Sequence, residues 1–287
     1  MSDAFTREAA RQLVRTGMER RKGGDYASAR AAYEQALEIF DELKDGEGQS
    51  VCFNNIAALA YREGDLKGAF ERFAKGRDLA LAVGAEHAAA FALGNMGLIQ
   101  SDLGSLGAAS ACHREALELH QKLGDPRGVG VQLGNLGLLA MNAGRLDEAE
   151  ATMRRALDSF VAANDPLGAA NSMNTLGEIC RSRGDVALAR ESFEEALALY
   201  TRMGSGDGRR VVLQNLGNLA RVAGDLDKAQ AFFEEALAAA REVGEPRIEA
   251  AAHTNLGNVF VARGEREMAR ESYETSRTLH EAMGYRI

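Results

Sequence analysis

The sequence predicts an all-α protein of seven antiparallel helix pairs, and three observations support this prediction. Glycine, alanine and a bulky residue each recur every 40 residues along the chain. Between them, apolar residues recur at spacings of three and four, the period of an amphipathic helix. Composition agrees, since the chain has only 3 Pro, no Trp and 6% aromatic residues. One helix pair cannot bury both of its faces, so a repeat of this kind predicts a stack of pairs.

Three recurring positions define the repeat. The glycines are Gly24, Gly64, Gly104, Gly144, Gly184, Gly224 and Gly264. The alanines are Ala29, Ala69, Ala109, Ala149, Ala189, Ala229 and Ala269. The bulky residues are Tyr33, Phe73, His113, Met153, Phe193, Phe233 and Tyr273. Seven repeats therefore cover about residues 5–44, 45–84, 85–124, 125–164, 165–204, 205–244 and 245–284, and 1–287 is predicted to be a single domain.

The fourth repeat shows how each helix begins and ends. Asp125 is a suitable N-cap, and Pro126 fits the first helical turn. Gly144 ends the first helix, because glycine tolerates the left-handed conformation. The second helix ends at Asn164, where most repeats have asparagine or glycine. The residues expected to cap second helices are Asp65, Asp185 and Asp225.

Small residues are expected where helices approach closely. Gly137 and Ala149 lack bulk at the contact between the two helices of the fourth pair. The large residue four positions after each such alanine lies on the same helical face. We expect it to fill the space between successive pairs.

This pattern resembles the tetratricopeptide repeat. In the fourth repeat the residues that carry the resemblance are Leu136, Gly137, Gly144, Ala149, Met153 and Ala156. The common form has about 34 residues and often a Trp, so a longer repeat without Trp is similar to the long-helix variety of kinesin light chains, spindle-orientation adaptors and bacterial signalling proteins. The resemblance implies a right-handed superhelical solenoid whose concave groove is lined by the first helix of each pair.

The resemblance also implies groove residues. The position before the Leu-Gly pair holds Asn55, Asn95, Asn135, Asn215 and Asn255. In related adaptors asparagine here holds the backbone of a bound segment, and an amide suits this role because it both donates and accepts. The alternative is that these asparagines bond neighbouring repeats and stabilise the stack. Both roles remain open for different copies.

Groove positions that differ between repeats are expected to give specificity. The predicted apolar middle consists of Phe91, Leu98, Leu138 and Met141. The predicted polar C-terminal half consists of Arg181, Arg221, Asn218 and Asn258. Arg11 and Arg15, with Arg21 and Lys22, form a basic N-terminal end. A peptide with apolar anchors and an acidic residue would match these positions, although each single arginine is better explained as a solvated surface charge.

Charge and hydropathy restrict the partner and the compartment. A net charge of -8 argues against nonspecific binding to nucleic acid. The 3 cysteines, odd in number and widely spaced, do not resemble a disulfide framework. No apolar run approaches the ~20 residues of a membrane span, and the start lacks a signal peptide. We therefore expect a cytoplasmic protein that binds neither nucleic acid nor membrane.

No residue pattern predicts catalysis, a metal or a cofactor. The stretch GVGVQLGNLG at 128–137 imitates a dinucleotide-binding loop, but it lies within a helix and follows no strand. His113 occupies the bulky packing position and is better explained as a core residue than as a ligand. The other histidines show no metal-site spacing. The sequence predicts a protein that is not an enzyme.

Three functions stay open at this stage. The leading prediction is an adaptor or scaffold that binds a peptide or helical segment of a partner protein in its groove. The second is a sensory, peptide-responsive module of a signalling system, and the richness in Ala, Gly and Arg suggests a bacterial source. The third is a self-associating solenoid, because Leu279, Met283, Tyr285 and Ile287 could leave an apolar end face. We expect a monomer or at most a weak dimer.

Overall fold

The computed structural model describes residues 3–284, with side chains at 6–241 and 244–284. These residues form fourteen α-helices. Their bounds are α1 Asp3–Lys22, α2 Tyr26–Glu42, α3 Gly46–Arg62, α4 Leu66–Ala82, α5 Glu86–Asp102, α6 Leu106–Lys122, α7 Pro126–Asn142, α8 Leu146–Ala162, α9 Pro166–Arg183, α10 Val186–Met203, α11 Gly206–Val222, α12 Leu226–Val243, α13 Pro246–Arg263 and α14 Arg266–Ala282.

The helices form seven antiparallel pairs, which confirms the predicted fold class. The chain divides into two compact units, an N-terminal unit of residues 1–139 and a C-terminal unit of residues 140–287. In the N-terminal unit, α1 packs on α2, α3 on α4 and α5 on α6, and α2 and α4 also pack on the first helix of the next pair. The same alternation runs from α8 to α14 in the C-terminal unit.

Left-handed residues and N-caps separate the helices as predicted. Gly144 has φ 73° and Asn164 has φ 51°, so both end a helix in the left-handed conformation. Asp125 caps α7, since its Oδ1 accepts from the Gly128 amide at 3.0 Å. Asp65 and Asp225 cap their helices in the same way.

The prediction that Asp185 caps α10 is correct for its position but wrong for its side chain. Asp185 precedes α10, but its side chain makes no capping hydrogen bond. Its Oδ2 instead lies 3.8 Å from a guanidinium nitrogen of Arg183. The nearby cation competes with the helix amides for the same carboxylate.

In five repeats the bulky residue packs against a first-helix glycine of its own pair, and the second repeat has Ala57 at the position of that glycine. A Cβ added to Gly177 would lie 2.6 Å from the ring of Phe193, and Gly17 and Tyr33 show the same contact. Phe193 also belongs to a buried cluster with Val212 of the next first helix. The prediction that placed this residue only between pairs is therefore incomplete, because one ring serves both contacts.

A second small-to-large contact joins successive pairs. A Cβ on Gly48, Gly168 or Gly208 would fall within 2.3 Å of an aromatic ring eight residues earlier, and these rings belong to Phe40, Phe160 and Tyr200. At the junction of the second and third repeats the corresponding residues are Ala80 and Ala88. Ala80 is fully buried and Ala88 is half-buried. His120 and Gly128 make the ring-to-glycine contact at the next junction. The junction of the sixth and seventh repeats has Ala240 and Ile248, so the residues at this position vary along the chain.

A polar variant of the packing lies between α3 and α4. Asn54 is 3% exposed, and its Nδ2 donates to the Ala88 carbonyl of α5 at 3.0 Å. Its Oδ1 occupies the space beside Gly76, where an added Cβ would lie only 2.4 Å away. Other repeats have alanine or serine at the position of Gly76. Glycine there makes room for the Asn54 amide.

We expect Gly76→Ala to destabilise the protein by ~1–3 kcal/mol, as overpacking does. Gly→Ala within a helix ordinarily stabilises by ~1 kcal/mol, so the sign is diagnostic. Urea denaturation followed by circular dichroism measures the effect. The control is Asn54→Gly with Gly76→Ala, which reproduces the natural pair Gly94 and Ala116. If Gly76→Ala alone is stabilising, the Asn54 amide does not limit the space.

The predicted apolar end face is described only in part. Leu279 and Met283 are half-buried, while Tyr285 and Ile287 lie outside the described residues. Among the described residues, no helix combines the length and apolar character needed to cross a membrane.

Candidate partner-binding groove

Three neighbouring cavities lie along the first helices of the N-terminal unit. The first, about 230 Å³, involves α1 and α3; the second, about 630 Å³, involves α1, α3 and α5; and the third, about 510 Å³, involves α5 and α7. Met18, Glu47 and Val51 line both the first and the second cavity. Phe91 lines both the second and the third. These shared walls join the cavities into one feature, which we call the N-terminal groove.

Three of the five predicted ladder asparagines line this groove. Asn55 borders the second cavity, and Asn95 and Asn135 border the third. The Nδ2 atoms of Asn55 and Asn95 each donate to the carbonyl four residues earlier, at 2.8 Å. These bonds stay within one helix, so in these two copies the amide does not link neighbouring repeats. One hydrogen of each Nδ2 and the Oδ1 lone pairs remain as hydrogen-bonding capacity.

Phe91 forms the apolar wall between two cavities. Its side chain is 47% exposed, and its ring meets the ring of Phe73 edge-on, with centroids 6.3 Å apart. Leu98 lines the third cavity and is half-buried. A large apolar side chain left partly in water, supported from behind by a buried ring, is suited to contact a ligand.

The first cavity carries the predicted basic end. Arg11 and Arg15 line it, and both are exposed. The Arg15 guanidinium already pairs with Glu8 at 2.5 Å, and this contact lowers the pKa of the Glu8 carboxyl. Arg21 and Glu47 line the second cavity beside them. The N-terminal end of the groove therefore mixes charges and is not uniformly basic.

The third cavity is bordered by two histidine contacts. His120 Nδ1 lies 2.9 Å from Asp125 Oδ2. Burial alone would raise the pKa of Asp125, but the Gly128 amide and His120 outweigh it and lower that pKa. His113 is 1% exposed, as expected for a core residue, and its Nδ1 lies 2.9 Å from Oε1 of Gln132. Burial lowers the pKa of His113.

Most of the other predicted residues lie in the C-terminal unit, in different surroundings. Asn215 donates to Asn174 Oδ1 at 3.0 Å and to Glu178 Oε1 at 3.3 Å, which links α11 to α9. Asn258 accepts from the Tyr273 hydroxyl at 2.8 Å. For Asn215 the contacts match the alternative in which this position stabilises the stack.

The remaining predicted residues do not line the three cavities. Leu138 is 39% exposed and Arg181 is exposed, while the half-buried ones are Met141, Asn218, Arg221 and Asn255. Their role in binding stays a prediction.

Several residues that line the groove are absent from the sequence prediction. Val131 lines the third cavity and is 42% exposed, and it stands at the same repeat position as Phe91. Glu47, Glu86 and His87 line the second cavity from the first turns of α3 and α5. The repeat register was a sufficient signal for Val131. The first-turn residues had no such signal, because their position depends on how successive pairs pack.

The described residues hold no group of three or more His, Cys, Asp or Glu side chains that could bind a metal ion. Burial raises the pKa of Cys52 to about 12, which is opposite to the shift that makes a thiol reactive.

Two family models match the sequence. The MalT-like tetratricopeptide-repeat region matches residues 127–286, and the tetratricopeptide repeat matches residues 17–82. Both models describe repeat regions. No match was found among curated proteins.

Solved structures share the fold. BtubC (BKLC) from P. vanneervenii has a TM-score of 0.68 and 24% identity, over 78% of this chain and 92% of that one. The apo form of RapI has a TM-score of 0.72 and 12% identity, over 96% and 99%. A Signal Transduction ATPase with Numerous Domains from Pyrococcus horikoshii has a TM-score of 0.81 and 16% identity, over 94% of this chain and 42% of that one. At these identities the similarity shows the fold alone.

Proposed function

Because the chain belongs to the family of MalT-like tetratricopeptide-repeat regions, we propose that it is a protein-interaction module that binds an extended segment of a partner protein in the N-terminal groove. The observation that carries the proposal is the continuity of the three cavities, with Asn55, Asn95 and Asn135 spaced along them. Amides at regular intervals suit the regularly spaced donors and acceptors of an extended backbone. The role requires no catalysis, and we expect a monomer or weak dimer.

The apolar surfaces support the same proposal. Phe91, Leu98 and Val131 provide contact area beside the amides. Backbone hydrogen bonds would then give affinity for any extended segment, while the apolar cavities would select bulky side chains. The mixed charges at the first cavity would set the register of the segment more than its affinity.

A sensory role is the second candidate. The Pyrococcus horikoshii ATPase is described as having a tetratricopeptide repeat sensor, and another structure shows a Rap protein complexed with competence and sporulation factor. This chain spans 42% of the ATPase chain. In such a role the same groove would bind a signal and pass the change to a neighbouring domain or partner.

We expect Asn55→Ala, Asn95→Ala and Asn135→Ala together to weaken peptide binding by roughly tenfold or more, because each lost hydrogen bond is worth ~0.5–1.5 kcal/mol. The probe is a set of peptides selected by the wild-type chain from a displayed library of random dodecapeptides. Fluorescence anisotropy measures affinity, and circular dichroism checks folding.

The matched control is Asn215→Ala with Asn255→Ala in the C-terminal unit, which should leave this binding unchanged. Equal binding by the wild type and the triple variant would exclude the asparagines as backbone contacts. If no peptide is enriched over an empty support, the proposed function is wrong. A triple variant that unfolds would show that these asparagines stabilise the stack.

A further inference from the structure

The third helix pair, α5 and α6, concentrates histidines beside the groove. It contains His87, His113 and His120, three of the 5 histidines in the chain. His87 lines the second cavity and His120 lines the third. His113 lies in the core behind them and contacts Gln132, which also lines the third cavity. Titratable groups therefore border the groove on both sides of Phe91.

In the other repeats, the residue at the position of His113 does not titrate in the pH range of histidine. The corresponding buried side chains are Tyr33, Phe73, Met153, Phe193 and Phe233. The His113 ring packs like theirs, because a Cβ on Gly97 would lie 2.6 Å from its Cε1. The imidazole thus occupies an aromatic packing site and adds a proton-binding nitrogen to it.

The residue opposite His113 is matched to it. Gln132, 5% exposed, stands where the next helix pairs place Ser172, Val212 and Ala252. Val212 and Ala252 lie opposite Phe193 and Phe233, which need no hydrogen-bond partner. A buried amide facing a buried imidazole joins α6 to α7 through one hydrogen bond.

We propose that the His113–Gln132 contact is a proton-sensitive lock on the N-terminal groove, so that protonation of His113 loosens α6 from α7 and weakens a bound segment. The part that concerns the ligand rests on the proposed function. A second proton on the ring puts a charge into a site where the contacts are an amide and apolar packing.

The surrounding charges do not neutralise a protonated His113. Burial lowers the pKa of His113, and this is the larger influence. The hydrogen bond with Gln132 has the opposite and smaller effect, since it raises that pKa. No charged side chain is among these influences. Glu86 contacts Lys122, and Asp125 contacts His120. His87 faces Asp125 from α5, and Arg127 lines the third cavity from α7.

The sign of the effect follows from this arrangement. Native His113 resists protonation, whereas a loosened His113 titrates near the ordinary value of about 6.5. Below that pH the loosened state binds a proton that the closed state does not. Its population therefore rises as pH falls, by up to about tenfold per pH unit for one proton, until native His113 also titrates.

Hydrogen exchange, corrected for the intrinsic pH dependence of exchange, tests the lock in the full chain without any ligand. Between about pH 7.5 and about pH 5.5, wild-type opening of α6 and α7 should rise several-fold or more. The variant His113→Phe with Gln132→Val, which reproduces Phe193 and Val212, should show no such rise. His253→Ala is the matched control, because burial lowers the pKa of His253 in the C-terminal unit, and its α6–α7 response should equal that of the wild type.

Equal responses of the wild type and the double variant would overturn the proposal. If the double variant does not fold, the NMR titration of His113 decides: a native pKa at or above 6.5 contradicts the lock. The selected dodecapeptides test the part of the proposal that concerns the ligand. Their affinity for the wild type is expected to fall at low pH, whereas their affinity for the double variant is not. Opening without an affinity change overturns the coupling but leaves the proposed function intact, whereas the absence of any selected peptide counts against the proposed function alone.

Discussion

Replacing Phe193 by alanine is expected to lower the free energy of unfolding by ~3–5 kcal/mol, the range for removing a buried phenylalanine. The side chain is fully buried and packs on Gly177. It also lies in one cluster with Cys180 and Val212, on the helices at either side of α10. The substitution therefore leaves a cavity at a contact within the pair and at a contact between pairs. Urea denaturation followed by far-ultraviolet circular dichroism measures the loss.

Glu195→Ala is the matched control for Phe193→Ala, because Glu195 is exposed on the same helix. Its effect should stay within about 0.5 kcal/mol. A loss below ~1 kcal/mol for Phe193→Ala would show that neighbouring side chains fill the space, and would contradict the role given to this position.

Gly168→Ala is expected to destabilise the protein by ~1–3 kcal/mol through overpacking. An added Cβ would lie 2.2 Å from Cδ1 of Phe160, whose ring lies at the end of α8. Gly168 is held in place because its amide donates to Asp165 Oδ1 at 2.9 Å. The methyl group can be accommodated only if the Phe160 ring moves from a buried site. The same denaturation measurement applies.

The double variant Phe160→Ala with Gly168→Ala tests whether the two residues act as a unit. It reproduces the alanine pair that the chain already uses at Ala80 and Ala88. We expect the double variant to lose less stability than the sum of the two single variants, with a coupling of ~1 kcal/mol or more. Strict additivity would mean that the glycine is not required by the ring.

The groove shows how far a repeat register can predict contacts. The register places Asn55, Asn95 and Asn135 at equivalent positions, and all three line the N-terminal groove. The same register does not impose the same contacts. Asn55 donates within its own helix, while Asn215 donates to Asn174 and Glu178 on the preceding first helix. A residue type that recurs every 40 residues marks one position on a helix, but the side chains around that position differ from repeat to repeat.

Small residues show a related limit. The repeat pattern predicted small residues at the contact within each pair but not the glycines at 48, 128, 168 and 208 that receive a ring from the preceding helix. Their spacing from Phe40, His120, Phe160 and Tyr200 is visible in the sequence, eight residues in each case. The signal is weak because the corresponding residues are Ala80 and Ala88 at one junction and Ala240 and Ile248 at another, so no single residue pair recurs at every junction.

The sequence by itself determined the class of the protein, the number of helix pairs and the ends of the helices. These depend on local physics: apolar periodicity, capping side chains and glycine at left-handed positions act within a few residues. Only the tertiary structure decided which amides face open cavities, which are used between helices, and that His113 meets Gln132. Those outcomes depend on the distance and angle between helices from successive pairs, and no local spacing in the chain encodes them.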